Sequence, residues 1–415
     1  MKLNLVLLTS NFPYGSDDEF LTEEIEVLSK HFEQIFIMSF SKEKDVKRKL
    51  PDNVKYVNAR YSGKSSAQYM KVALSMISIT TIGEVIFAKR ELKVGRFKEV
   101  ISKILIYNRK RFYFERVIKN YQEFHTNTVY YSFWLSGLAY SLLELKKQRY
   151  AGAIVSRAHG GDLYLERGYL PFRREIVEGM DVIHSASEKG REYLLKTICP
   201  HVNCDKQKIR VSYLGFTKAY NLMNPSMIEE KVLRIISCSN IINVKRLDII
   251  VDALHITDEI DVQWTHIGSG ALEGKIKRYA ESKLGEKKNI DFLFKGRMKN
   301  ADIQKLYTEE HFDLFVNVSD SEGLPVSIME AMAYGIPALA RNIGGNNEII
   351  KNDENGFLVS GINIPEQVAK KMNQYFEMGC IERKYLSQKA YQCYKEKFYG
   401  PKNYEKFAFE LKNLI

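Results

Sequence analysis

Short apolar runs alternate with amphipathic stretches along this chain, and they do so in two separate series. LNLVLLTS (3–10) is a continuous apolar run, as a strand buried on both faces requires. FLTEEIEVLSKHF (20–32) spaces Leu21, Ile25, Leu28 and Phe32 as one helical face, and QIFIMSF (34–40) returns to a strand. Strand, helix, strand is the signature of a parallel sheet. The pattern resumes at TVYYSFW (128–134), AIVSRAHGGD (153–162), DVIHSAS (181–187) and IRVSYLGF (209–216). From Thr217 to Glu230 the apolar periodicity is lost, and Asn221, Asn224 and Pro225 mark a connector. A second series then follows: LRIISCS (233–239), a helix over 245–254, VQWTHIGSG (262–270), IDFLFKG (290–296) and DLFVNVS (313–319). The pattern predicts an α/β protein of two doubly wound, Rossmann-like domains facing each other across a cleft that holds the site.

Length and composition agree. A soft prior of roughly 150 residues per domain gives 415 residues room for two or three domains, and 45% hydrophobic with 27% charged residues is a globular balance. No apolar run is long enough to predict a spanning helix. The nearest, Val72 to Ala88, contains Glu84 and several hydroxyls and reads as a packed or surface-lying helix. The N-terminus reads as a first strand and not a signal peptide, which predicts a cytoplasmic chain. Five cysteines at 199, 204, 238, 380 and 393 do not suggest a disulfide framework. CPHVNC (199–204) has no second pair at zinc-site spacing, so no metal is expected there.

The formal charge is +11, and its placement is uneven. Eleven Lys/Arg against three Glu lie between Lys89 and Lys119, interleaved with Phe97, Tyr107, Phe112, Tyr113 and Phe114. Two readings stand: a solvated helical face, or contact with an anionic membrane surface, peripheral on the inner face of the plasma membrane. No nucleic-acid motif accompanies the charge, so no nucleic-acid partner is expected.

The chemistry concentrates in SDSEGLPVSIMEAMAYG (319–335). A strand precedes it, Pro325 opens a helix, and Gly335 with Pro337 closes it. The amides around Gly323 and Leu324, with the helix dipole, form an anion site at a strand's carboxyl end, where a phosphate would fit. A carboxylate repels phosphate, so Glu322 in the loop and Glu330 in the helix are read as acceptors for sugar or ribose hydroxyls. A bare pair of glutamates at this spacing is equally an ordinary helix start, and the strand–loop–helix context is what favours the functional reading.

This stretch, continued through EAMA-x-G-x-P (330–337) to Gly344, Gly345 and Glu348, resembles the E-x7-E signature of family 4 glycosyltransferases. The resemblance implies the GT-B fold. It also implies Glu322 and Gly323, Leu324 and Pro325 at the donor sugar and diphosphate, with Glu330 at the nucleotide ribose. SCSNIINVKRLDII (237–250) is similar to the family's phosphate loop, with Lys245 in the lysine position. Asn240 stands where that loop has arginine, and Arg246 stands where glycine is common and is held as a substitute cation. SRAHGGDLYLER (156–167) resembles the segment that places a histidine beside the donor sugar, here His159, with Arg157 and Asp162 to orient it or face the acceptor. The loop TSNFPYGSDDEF (9–20) has a single glycine where relatives carry a pair, and acceptor contacts are expected from Asn11, Gly15 and Glu19. GSG (268–270) and FKGRM (294–298) are tight turns or, as the resemblance implies, nucleotide liners through Gly268, Arg297 and Met298.

The resulting expectation is a retaining glycosyltransferase using a nucleotide-sugar, UDP-sugar favoured, and a glycan or lipid-linked acceptor in cell-surface polysaccharide or glycoconjugate synthesis. His159, Lys245 and Glu322 are the catalytic candidates. No cofactor or metal is expected, since no Asp-x-Asp stands at a strand end. The predicted domains are an acceptor-binding 1–216, a linker 217–230, a donor-binding 231–395 and a C-terminal helix 396–415 packing back on the first domain. The alternatives are a catalytically silent GT-B partner in a glycosylation complex, or a GT-B phosphorylase or epimerase.

Overall fold

A computed structural model describes residues 3–14, 20–41, 48–57, 66–91, 97–119, 127–149, 151–165, 168–217 and 232–415. The chain divides into two compact units, Met1–Leu214 with Gly400–Ile415, and Gly215–Tyr399. Most of the expected connector, residues 218–230, lies outside the described residues.

The first unit is built on seven parallel strands: β1 (Asn4–Thr9), β2 (Gln34–Ser39), β3 (Val54–Tyr56), β4 (Thr128–Ser132), β5 (Ile154–Ala158), β6 (Val182–Ser185) and β7 (Ile209–Val211), in spatial order β3-β2-β1-β4-β5-β6-β7. Alternation along each strand serves two cores. Val6, Leu8, Phe36 and Tyr130 face one side with the helices Phe97–Lys119 and Gly137–Lys147. Leu5, Leu7, Ile35 and Val129 face the other, with the helix Phe20–Leu28 and with Phe407 and Leu411 of the C-terminal helix Gly400–Lys412. The last helix of the chain is thus part of the N-terminal core.

The second unit repeats the plan with β8 (Val232–Cys238), β9 (Asp261–Ile267), β10 (Ile290–Gly296), β11 (Leu314–Asn317), β12 (Ala338–Arg341) and β13 (Gly356–Val359), in order β10-β9-β8-β11-β12-β13. All pairings are parallel. Strand order reverses between β1 and β4 in one unit and between β8 and β11 in the other. At such a point adjacent loops leave the sheet in opposite directions and open a crevice beyond the carboxyl ends of the strands.

Two sequence expectations change. The basic segment is not simply a solvated face: its Tyr107, Tyr113 and Phe114 belong to the N-terminal core, because the helix Phe97–Lys119 lies against the sheet, while Phe112 is half-buried. Arg157 is not an acceptor-facing residue. Its guanidinium is fully buried, ion-paired with Glu24, within 3.2 Å of Ser212 Oγ and stacked 4.1 Å from the Phe407 ring centroid. It ties together the first helix, β5 and the C-terminal helix.

Removing one partner of a buried pair leaves the other charge desolvated and unmatched. Arg157→Ala should therefore lower the stability of the N-terminal unit by about 3–5 kcal/mol, read from the chemical unfolding midpoint; an unchanged midpoint would contradict this role.

Candidate active site

The carboxyl ends of β8 and β11 carry the two loops that the sequence singled out, residues 239–246 and 318–325. Main-chain hydrogen bonds stitch them to their neighbours. Asp320 N donates to Val244 O at 2.8 Å, Ile241 N to Ser269 O at 3.0 Å, and Gly345 N to Gly323 O at 2.7 Å. Gly344 sits at φ +47°, and a Cβ there would lie 2.0 Å from Glu322 O, so the glycine is what lets the loop after β12 touch the glutamate's backbone. Gly268 does the same after β9: at φ +142°, its Cβ would fall 1.8 Å from Ser239 O, and its amide donates to Gly296 O at 2.8 Å.

Within this frame Lys245 Nζ donates to Glu322 Oε1 at 2.6 Å, and Asn317 Nδ2 donates to the same oxygen at 3.2 Å. Glu322 is buried and Lys245 is about a quarter exposed, so the ammonium meets solvent beside a nearly enclosed carboxylate. Gly323, Leu324 and Pro325 follow and lead into the helix Val326–Ala333, whose first backbone bond is Ile328 N to Pro325 O at 3.2 Å, so the amides of Val326 and Ser327 precede the helical ladder. Glu330, half-buried on that helix, lies close enough to β8 to act on Cys238. Burial first, and then the Glu330 charge, push the Cys238 thiol up to about 12 against the opposing effect of Lys245. Lys245, Glu322 and Glu330 thus share one neighbourhood at the switch point.

Arg246 is placed differently from the expectation that it substitutes for a phosphate-binding cation. It adopts φ +48° at the start of the helix Leu247–His255. Its guanidinium is held by Asp248 at 2.8 Å and Asp320 at 3.2 Å, and the pairing with Asp248, the largest cause, raises its pKa. Asp320 also binds Arg341. Two carboxylates already match the Arg246 charge, which leaves Lys245 as the cation directed at Glu322. A cavity of about 630 Å³ opens on the Arg246 side, lined by Asn243, Asp248, Leu272 and Tyr279 among others; Lys245 and Glu322 do not line it. Arg297 and Met298 follow β10 at the same edge of the sheet as Gly268, two strands from the switch point.

In the N-terminal unit His159 follows β5 and begins the short helix Gly160–Leu163. Its ring packs between Phe133 and Trp134, each 4.6 Å away by centroid, and neither ring nitrogen has a hydrogen-bond partner among the described residues. Burial, then the Arg157 charge, holds the imidazole well below the usual histidine range, so it is neutral at physiological pH. Asp162 is a clamp and not an acceptor contact. It is buried, and its oxygens accept His159 N at 2.6 Å and Leu135 N at 2.5 Å. Burial pushes its carboxyl up to about 7 despite those amides. Asn11 lies half-buried in the loop after β1, while Gly15 and Glu19 lie outside the described residues. Cys199 and Cys204 are free thiols 2.7 Å apart, and no cluster fit to hold a metal occurs among the described residues.

Asn317 was missed by sequence reasoning. A polar residue inside the apolar run DLFVNVS, at the carboxyl end of the strand, was the signal that could have found it.

Residues 221–393 match the family model described as Glycosyl transferases group 1. The match spans 173 of the 415 residues, and the chain is a glycosyltransferase. The glycosyltransferase is 26% identical over 312 residues to the amylovoran biosynthesis glycosyltransferase AmsK of Erwinia amylovora, covering 71% of this chain and 70% of that one. In structure it is similar to the lipopolysaccharide outer core galactosyltransferase WaaB, with a TM-score of 0.69, 16% identity and 99% of each chain covered. It is also similar to Anabaena Alr3699/HepE in complex with UDP-glucose, with a TM-score of 0.66, 14% identity and 100% of each chain covered. The fold is GT-B, as the sequence implied.

With His159 held neutral, protonation of this ring contributes no inflection near the ordinary histidine value of about 6.5. The pH profile of kcat/KM should be free of a His159-dependent limb between about pH 6 and 8. A limb there that disappears in His159→Gln would contradict the assignment.

Proposed function

We propose that this glycosyltransferase moves a hexose-type sugar from a UDP-sugar to a growing glycan or lipid-linked acceptor of a cell-surface polysaccharide, with retention and without a metal. The observation that carries the reading is the contact of Lys245 with Glu322 at the switch point of the second unit. A cation and a carboxylate that neutralise each other can both change partner when a donor arrives. The diphosphate takes Lys245 and the amides of Gly323 and Leu324, and Glu322, still oriented by Asn317, turns to sugar hydroxyls. Glu330 takes the ribose hydroxyls, and Gly268, Arg297 and Met298 border the base.

In the reaction the bond from the anomeric carbon to the diphosphate oxygen breaks, and the acceptor oxygen bonds to that carbon on the same face. The acceptor's proton passes to the departing phosphate. Lys245 stabilises the negative charge that develops on the leaving group, while the neighbouring carboxylates of Asp248 and Asp320 are matched by Arg246. In the N-terminal unit the neutral imidazole of His159 offers a donor and an acceptor nitrogen to a sugar hydroxyl, between the walls made by Phe133 and Trp134. The donor reading is supported by HepE, solved with UDP-glucose, and the hexose reading by WaaB, a galactosyltransferase. The polysaccharide acceptor is supported by AmsK, named for amylovoran biosynthesis.

A nucleotide-release screen over a panel of nucleotide-sugars, in the presence of a chelator, tests this. UDP release above background from at least one UDP-sugar is expected. Lys245→Ala should lower kcat by about 10²–10³-fold, and Glu330→Ala should weaken donor use by roughly 10–100-fold. Full turnover in both variants, or release only when a divalent metal is added, would overturn the proposal.

A further inference from the structure

The helices Ser66–Met76 and Ile79–Glu91 of the N-terminal unit are amphipathic in the inverted sense. On the second helix Thr81, Glu84 and Ala88, at i, i+3 and i+7, face inward and are buried. The Glu84 carboxylate bonds the Tyr169 hydroxyl and accepts Phe172 N at 2.7 Å, and burial, its largest influence, raises its pKa. The opposite stripe is Ile79, Ile82 and Ile86, with Ile79 91% exposed. The preceding helix adds Met70 and Leu74, and Ile77 in the turn is 70% exposed. Six of the 17 exposed large apolar side chains of the described structure therefore fall within 17 consecutive residues. Scattered exposed apolar residues are ordinary, but a contiguous set on adjacent helices marks a surface that something apolar covers. A helix that encloses its carboxylate and exposes its isoleucines has no comparable gain to make in water.

Among the described residues no single helix is long and apolar enough to cross a membrane; Met70–Met76 and Ile79–Arg90 pass such a test only as a pair, bent by 51°. Each helix is short, about 17 and 20 Å by its residue count against a hydrocarbon core of about 30 Å, and one face of the second is buried in the unit. The pair therefore lies along the surface. The patch is bordered by cations: Lys71 is exposed on the first helix, Lys89 and Arg90 are exposed at the end of the second, and Lys98 is exposed on the helix that follows. Glu84, the carboxylate of the second helix up to these cations, is the one turned inward.

We infer that this face seats the protein on an anionic phospholipid surface, with Met70, Leu74, Ile77, Ile79, Ile82 and Ile86 entering the headgroup–acyl boundary and Lys71, Lys89 and Arg90 meeting the phosphates. Charge complementarity selects this occupant. A second copy docked through the same patch would bring the same cations against each other, whereas anionic headgroups match them. The inference goes beyond the transfer reaction and is independent of it. It also narrows the membrane contact expected of the basic segment Lys89–Lys119 to its first cations, Lys89 and Arg90, with the isoleucine face that precedes them, since Tyr107, Tyr113 and Phe114 lie in the core.

The test is co-sedimentation of the full chain with vesicles of phosphatidylglycerol and phosphatidylcholine, and with phosphatidylcholine alone, across a salt series. Binding to the anionic vesicles that weakens with salt is expected. Ile79→Ser/Ile82→Ser/Ile86→Ser should weaken it at least about tenfold. Lys89→Gln/Arg90→Gln, which leaves the apolar face intact, should weaken it about tenfold and flatten the salt dependence. Melting curves matching the wild type confirm that both variants fold. The proposal is overturned if the wild type stays in the supernatant with anionic vesicles at low salt, or if the folded triple variant binds as tightly as the wild type. It is equally overturned if light scattering shows a wild-type dimer that the triple variant abolishes while no vesicle binding occurs, since the face would then belong to a second copy.

Discussion

A parallel strand cannot be joined to its neighbour by a hairpin; the chain must cross a face of the sheet and return, and a helix covers that face on the way. This constraint, applied in both units, determines where chemistry can collect. The order β3-β2-β1-β4 and the order β10-β9-β8-β11 each turn about the first strand of the unit, so two loops diverge there and leave backbone amides and side chains exposed between them. In the second unit those loops carry Lys245 and Glu322. In the first, the strand beyond the switch, β5, ends at His159.

The second-unit site depends on backbones that approach unusually closely. Gly344 and Gly345 let the loop after β12 lie on Glu322 and Gly323, and Gly268 lets the loop after β9 lie on Ser239. Side-chain positions then follow: Asn317 and Lys245 converge on one oxygen of Glu322, while Asp248 and Asp320 draw Arg246 away. Because the ammonium and the carboxylate satisfy each other, neither is left uncompensated, and a ligand carrying both phosphate and hydroxyls can replace each contact in kind. The N-terminal unit is organised by a different buried pair, Arg157 with Glu24, which lies beneath the C-terminal helix and is structural.

The strands near the two switch points were legible because strands buried on both faces read as apolar runs. β3, β12 and β13 were not marked out; they are as short as β6, β7 and β11, but those three stand inside the longer runs DVIHSAS, IRVSYLGF and DLFVNVS. The site was legible where it depends on backbone: glycines, a proline at a helix start and a glutamate in a loop have local causes. It was not legible where it depends on a partner distant in the chain. Nothing near Arg157 indicates Glu24, 133 positions away, and nothing near Arg246 indicates Asp320, 74 positions away. Asp162 was read from its neighbour His159, and the structure gives it the amide of Leu135 as well. The basic segment shows the same limit, since charge density along a sequence does not report which side of the helix meets the core.

The central claim is that Lys245 and Glu322 exchange their mutual contact for a nucleotide-sugar's diphosphate and hydroxyls. Calorimetric titration of UDP into the protein in the presence of a chelator tests it most directly, with Lys245→Met as the comparison. The account predicts binding without divalent metal, weakened by at least about tenfold in the variant through loss of a charge-assisted contact to phosphate. Equal affinity in the two proteins, or UDP binding that appears only with added metal, would contradict it.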